Sequence, residues 1–281
     1  MFKLTLRSRP TIYLLAIVVG AVAGVGALLF EYGAAYVVHF ALEGVAGYSP
    51  HGPHGEVHLL PEAAAAQTGG SISAWWLLLL PAIGCLLSAS LSEWLAPEAK
   101  GHGTDAAIDS YHRHGGRVRG RVPLLKGICS ALTLGFGGSG GREGPIAQIG
   151  AGFGSFLGQR LGLGDRACRT LLAAGMAGGV GAIFRAPFAG ALFAAEILYR
   201  DAELESEVVI PAFLSSAVSY CVFCGWLGEF GVLFELGPGF DFHNVLEMLP
   251  YTLLALALLP GIGLYTKFFY GVERAFANWP L

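Results

Sequence analysis

Arg142 and Glu143 stand side by side in FGGSGGREGPIAQIGAG, Phe136 to Gly152, as opposite charges wrapped in glycine between two apolar stretches. Gly137, Gly138, Gly140, Gly141 and Gly144 permit backbone geometries closed to other residues. Pro145 suits the first turn of a helix, where its missing N–H is not needed. A helix is therefore expected to start near Gly144. Its free N–H groups and positive dipole end favour an anion, and Glu143 is placed to be that anion. A carboxylate held there can be displaced: a mobile anion takes over the same N–H groups when Glu143 swings away or gains a proton. That chemistry is gating. For Arg142 the competing use is a structural ion pair with another acid. A phosphate-binding loop would need GK[ST] after the glycines, and a dinucleotide fingerprint would need a strand before them inside a soluble unit; neither is present.

Other clusters carry weaker chemistry. HGPHGEVH, His51 to His58, offers three histidines and Glu56, which could hold a metal, but a solvated polar loop is the simpler reading and no metal site is expected. Cys85, Cys129, Cys168, Cys221 and Cys224 sit mostly in or beside apolar segments, and their odd number without a loop framework argues against disulfides. Cys221 and Cys224 form a CxxC inside an apolar stretch, which reads as packing.

The elements that must position Glu143 are set by the solvent of the chain. With 54% hydrophobic and 13% charged residues, it is too apolar for a soluble domain of 281 residues. Uncharged stretches long enough for about 30 Å of hydrocarbon run over Thr11–Phe30, Ala74–Ser92, Val208–Gly228 and Met248–Thr266. Between Val122 and Tyr199 the apolar segments shorten: Ile146–Gln159, Thr170–Phe184 and Ala186–Ala195 are each marginal for a crossing. Irregular backbone at membrane depth is tolerated where protein or a water-filled cavity satisfies it, so broken spans here point to a solute pathway. The other use of so many glycines is close helix packing. Lys3, Arg7 and Arg9 precede the first span, and Lys100, Arg113, Arg117, Arg119 and Arg121 follow the second, which predicts a cytoplasmic N-terminus. Met1–Pro10 makes a poor signal peptide, so the first helix is read as an anchor.

GGREGPIAQIGAGFGS (Gly140–Ser155), followed by AAGMAGGVGAIFRAPFAGALFAAE (Ala173–Glu196), resembles the CLC family of chloride channels and proton-coupled anion exchangers. The resemblance implies an all-α polytopic membrane protein, with tilted and broken helices and two inverted repeats that meet around the anion. It makes Glu143 the external gate and assigns anion binding to Arg142 and to the backbone over Gly144, Pro145, Ile146 and Ala147. The family's GSGIP motif, which opens a second helix at the anion, matches GHGTD, Gly101 to Asp105. His102 stands where Ser is usual and Asp105 where Pro is usual. His102 and Gly103 join the expected anion-binding set, since a His donates a hydrogen bond and adds charge when protonated. The alternative is that His102 only caps the helix.

A second departure concerns the proton. Family exchangers keep an internal glutamate where FAAEILYRD has Ile197, and isoleucine carries no proton. Glu203, Glu205 and Glu207 follow, with Glu203 the candidate substitute, although a charge run after a helix is usually a wet helix end. The expectation is permeation of chloride or a similar small anion, channel-like or weakly proton-coupled. The alternatives are a proton-coupled exchanger or a half-protein inactive without its second half. By the same resemblance residues 1–230 form the first repeat and 246–276 the first long helix of a second repeat that is mostly missing, with FANWPL reading like a truncation. Chloride as ligand, no cofactor, no enzymatic activity, no nucleic acid, a homodimer using Phe188–Leu198 and Val209–Phe223, and a bacterial inner (plasma) membrane location complete the expectations.

Overall fold

The computed structural model describes residues 9–50, 59, 72–199, 206–231, 233 and 244–277. Among them the regular structure is helical. In chain order the α-helices are α1 (Arg9–Val38), α2 (Ala74–Leu95), α3 (Thr104–Arg113), α4 (Val122–Gly135), α5 (Glu143–Arg160), α6 (Asp165–Ile183), α7 (Pro187–Glu196), α8 (Ser206–Leu227) and α9 (Met248–Ala277). A π-helix, His39–Val45, prolongs α1, and 3-10 turns occupy Pro97–Ala99 and Val245–Glu247. The chain divides into two compact units, Met1–Phe234 and Glu235–Leu281. The second unit holds α9, whose apolar side chains are exposed along its length.

Four helical stretches are long and apolar enough to cross a membrane: Pro10–Val45, Ala74–Leu95, Glu207–Leu227 and Val245–Phe276. They cover the four expected spans except for Gly228, and every end but the start at Ala74 differs. The apolar run of the first stops before Glu31, but the helix continues past it, and Glu31 pairs with Arg142. In α2, Trp75 and Trp94 stand exposed near opposite ends of the helix, where amphipathic rings match the two faces of a bilayer.

Two of the three short segments are longer than hydropathy indicates, while the third, α7, keeps its ten residues. α5 has 18 residues and α6 has 19, about 27–29 Å at 1.5 Å per residue. Asp165, Arg166 and Arg169 lie in the first turns of α6, so charge hides helix length from an apolar window. α5 stops in a Schellman turn: Gly162 (φ +62°) lets Leu163 N donate to Gly158 O and Gly162 N to Gln159 O, each at 3.0 Å. α6 stops the same way at Arg185 (φ +51°), a residue type that tolerates this region poorly. Arg185 is buried and its Nη1 lies 3.5 Å from Glu229 at the end of α8.

The core of the first unit is a stack of α1, α5, α6 and α8 built on small residues. α5 and α6 approach so closely that a Cβ on Gly150 would strike the carbonyl of Gly175, and one on Gly175 that of Gly150. α1 meets α8 in the same manner, with Gly20 against the backbone of Ser215. Small-residue seams are how helices associate where lipid is as apolar as any side chain. Met176, Leu171, Leu172 and Ile146 fill the space beside these seams and are fully buried.

Candidate functional site

Two helix starts meet in the first unit. α5 begins at Glu143, with Arg142 as its N-cap, and α3 begins at Thr104, with Gly103 as its N-cap at φ +105°. A side chain on Gly103 would lie 2.8 Å from Gly144 O, and one on Gly144 would run into the backbone and ring of His102. The two starts are therefore in contact, and only glycine fits between them. Residues 41 positions apart in sequence are joined here, and the join brings together His102, Gly103, Glu143 and Gly144 of the expected site.

The open end of α5 has few donors. The first N–H groups of a helix lack partners within it. Ile146 N already donates to Arg142 O at 3.0 Å, and Pro145 has no N–H, so Glu143 and Gly144 carry the donors at the tip. Ile146 and Ala147 are fully buried and hold this turn in the core. The half-buried carboxylate of Glu143 folds back over Gly141, where any side chain would collide with it. It takes no ion-pair or hydrogen-bond partner among the described residues.

Arg142 points to a different task. Its Nη1 donates to Glu31 Oε1 of α1, a salt bridge across 111 residues that ties the approach loop to the first span. Asp105 sits in the first turn of α3, where an acid complements the helix dipole. His102 Nδ1 lies 3.1 Å from Thr104 Oγ1, which fixes the ring by its own helix start. The N-cap position itself belongs to Gly103, and no side chain caps it.

A cavity of about 530 Å³ opens beside these groups, lined among others by His102, Lys126, Cys129, Gly140, Gly141 and Pro145. Sequence reasoning passed over three residues here. Lys126 is the lone charge of α4 and is 3% exposed. Gln148 is 2% exposed in the second turn of α5. Glu31 is the lone acid of α1. Each was visible as a strongly polar residue flanked by apolar and small ones within a helix, which is a signal because such a residue is costly in a membrane unless it is satisfied.

On another side of the unit, Tyr111 and Tyr199 meet through their hydroxyls at 2.9 Å, and His112 Nε2 lies 2.6 Å from Leu198 O. Arg166 pairs with Glu207 at 2.7 Å beside them. Ile197 packs against the core cluster, half-buried. Glu203 and Glu205, like the histidine loop His51–His58, lie outside the described residues. Cys221 and Cys224 are free thiols within α8, the first exposed and the second buried.

Apolar helices of membrane-crossing length, two of them close-packed with the glycine-rich α5 and α6, and two helix starts converging on one cavity define a polytopic helical membrane protein whose site is built largely from backbone. Residues 84–281 match the family described as voltage gated chloride channel. The chain belongs to that family. It is 30% identical over 276 residues to the H(+)/Cl(-) exchange transporter ClcA of Cronobacter sakazakii, covering 95% of this chain and 53% of that protein. It is 29% identical over 245 residues to chloride channel protein CLC-e of Arabidopsis thaliana, covering 85% of this chain and 32% of that one. In fold it is similar to a slow cyanobacterial Cl-/H+ antiporter, with a TM-score of 0.71 at 22% identity over 98% of this chain and 59% of the other. The chain thus spans about half the length, or less, of the curated relatives it matches.

Proposed function

We propose that this chain forms a pathway for chloride or a similar small anion through the membrane, with Glu143 as its gate. The observation that carries the reading is the contact of two helix starts beside one cavity, with a carboxylate of the protein's own folded back over Gly141 in the cavity wall and free of any ion-pair partner among the described residues. Helix starts supply partial positive charge without side chains, so they bind an anion yet let it leave. An anion held there would take donors from Glu143 and Gly144, with His102 and Gly103 on the α3 side and Ile146 and Ala147 holding the turn. Arg142 adds positive charge nearby while paired to Glu31. The relatives named for chloride transport support the choice of ion, and chloride is the only ligand the reading requires. The role is transport rather than catalysis.

Flux is proposed to be weakly coupled to protons, because Ile197 offers no acceptor where family exchangers keep an acid. The competing reading, proton-coupled exchange, is favoured by the exchanger and antiporter among the similar proteins, and Glu203 is then the first candidate acceptor. The chain is further proposed to work as a homodimer, with a pathway in each copy, through the faces Phe188–Leu198 and Val209–Phe223. The four Lys or Arg residues between Arg113 and Arg121 favour a cytoplasmic side for the α3–α4 loop, and with it a cytoplasmic N-terminus in a bacterial inner membrane. Residues 1–230 are proposed as one repeat and 246–276 as the first helix of the next.

The test is chloride flux from liposomes holding the purified chain. Glu143→Gln should raise flux and remove its pH sensitivity, because the neutral amide cannot compete with the anion for the same donors. Wild-type vesicles should show little chloride-driven proton movement. Robust proton uptake would establish the exchanger reading, and absence of flux in both proteins would overturn the pathway for this chain by itself.

A further inference from the structure

Lys126 and Gln148 are the most unusual polar groups of the first unit, and the gating scheme uses neither. Lys126 occupies the second turn of α4, VPLLKGICSALTLG, and is almost wholly buried. A buried ammonium is costly unless paired, yet no carboxylate lies within ion-pair distance of it among the described residues. Its partners are backbone oxygens: Nζ donates to Ala99 O at 3.1 Å and to Gly101 O at 2.6 Å. Gln148, from α5, donates Nε2 to Glu98 O at 2.7 Å, and its buried Oε1 has no partner. Two side chains from two helices thus hold three carbonyls of one short segment.

That segment leads into α3. Its last residue before the helix, Gly103, is enclosed on three sides: a Cβ there would meet Gly144 O at 2.8 Å, Gln148 Oε1 at 3.0 Å and Lys126 Cε at 3.0 Å. Lys126 and Gln148 are therefore packed at the very point where the starts of α3 and α5 touch. An ammonium has three donors, and the two carbonyls use two of them. The residue also lines the cavity shared by His102, Gly141 and Pro145. Carbonyl oxygens repel an anion; carbonyls occupied by a cation present much less negative charge to the cavity.

We propose that Lys126 and Gln148 are positioning residues: together they fix the Gly101–Thr104 turn, and with it the start of α3, against the start of α5, and Lys126 adds a fixed positive charge to the cavity wall. The geometric half of this stands on the contacts alone, and the electrostatic half rests on the anion-pathway reading. The clamp restrains a turn that contains two positive-φ glycines, Gly101 and Gly103. Without outside ties such a turn has many conformations available.

The experiment uses the full chain in detergent and compares Lys126→Met, Lys126→Arg, Gln148→Met and wild type. Hydrogen exchange over residues 98–107 should become about tenfold faster or more in Lys126→Met and Gln148→Met, since each loses hydrogen bonds to the segment. Exchange over α6, Leu171–Ile183, should stay unchanged in both, and Lys126→Arg should restore protection over 98–107. Calorimetric titration with chloride should show binding about tenfold weaker in Lys126→Met, with recovery in Lys126→Arg and a smaller loss in Gln148→Met, where the charge remains. Unchanged exchange over 98–107 would overturn the clamp, and so would equal loosening of α6, which would mark general packing. Equal chloride affinity in Lys126→Met and wild type would overturn the electrostatic role. If wild type binds no chloride, the pathway reading fails with the electrostatic half, while hydrogen exchange still decides the clamp.

Discussion

α2 and α6 are of similar length, 22 and 19 residues, and α2 is the more apolar of the two, yet they sit in opposite environments. Three residues of α2 are buried, Leu80, Gly84 and Ser92, against fifteen of α6. α2 carries Leu78, Leu86, Trp75 and Trp94 on its exposed surface; α6 carries GMAGGVGA in its C-terminal half. In water the more apolar helix would be the buried one. In a bilayer apolar side chains are at home in lipid, and close approach of backbones decides which helix goes inside. The glycine-rich helices build the core, and the site is formed where the start of one of them, α5, meets the start of α3.

The sharpest way to break this comparison is to remove the close approach. Gly175→Leu should cost on the order of 3 kcal/mol or more, because the new side chain must enter the backbone of α5 at Gly150. Thermal unfolding in detergent should show a large loss of midpoint, and a midpoint close to wild type would show that small residues do not decide burial here. A second large effect belongs to the proposed dimer face. Leu192 is 45% exposed on α7, and Phe188 beside it packs edge-on to Phe213 of α8 at 5.5 Å. Leu192→Arg should convert dimer to monomer in size-exclusion chromatography with light scattering, while a monomeric wild type would remove the dimer altogether.

Smaller effects are expected around α2. Its C-terminal end is followed by Glu98, whose carboxylate accepts from Arg119. The Arg119 hydrogen bond holds the Glu98 carboxyl below the usual glutamate range, against the opposing effect of burial. A folded-state value below the unfolded one means stability that is present above the unfolded value and lost as pH falls through the folded one. Both side chains are nearly half exposed, so screening limits the pair to a few tenths of a kcal/mol. Arg119→Ala should lower stability by about that amount at neutral pH, and the difference should vanish on acidification; a difference independent of pH would exclude the pair as its source. The smallest effect is expected from Leu86→Ala on the exposed face of α2, within about 0.5 kcal/mol of wild type in the same unfolding assay. A loss of several kcal/mol there would mean that the face is covered by protein.

Much of the fold was legible from residue types. The four spans follow from uncharged length, and the start of α5 from glycine followed by Pro145. The ends were not legible, because Glu31 and the charges opening α6 stop an apolar count without stopping a helix. At the site, the contact between GHGTD and REGP could be expected only through the family resemblance. The Arg142–Glu31 bridge was open as a possibility, but its partner was not named, since 111 residues separate the two. Lys126 and Gln148 escaped because their partners are backbone oxygens, which every residue carries and no motif marks.

The sequence by itself determined that the chain lives in a membrane, where its long helices lie, and that an acid stands at a glycine-flanked helix start. These are local properties: hydropathy, helix signals and the freedom of glycine act over a few residues. Only the tertiary structure decided that α2 faces outward while α6 is buried, that the starts of α3 and α5 touch, and which groups hold them there. Those outcomes depend on which backbones can approach one another, and on desolvated charges finding donors and acceptors far away in the chain.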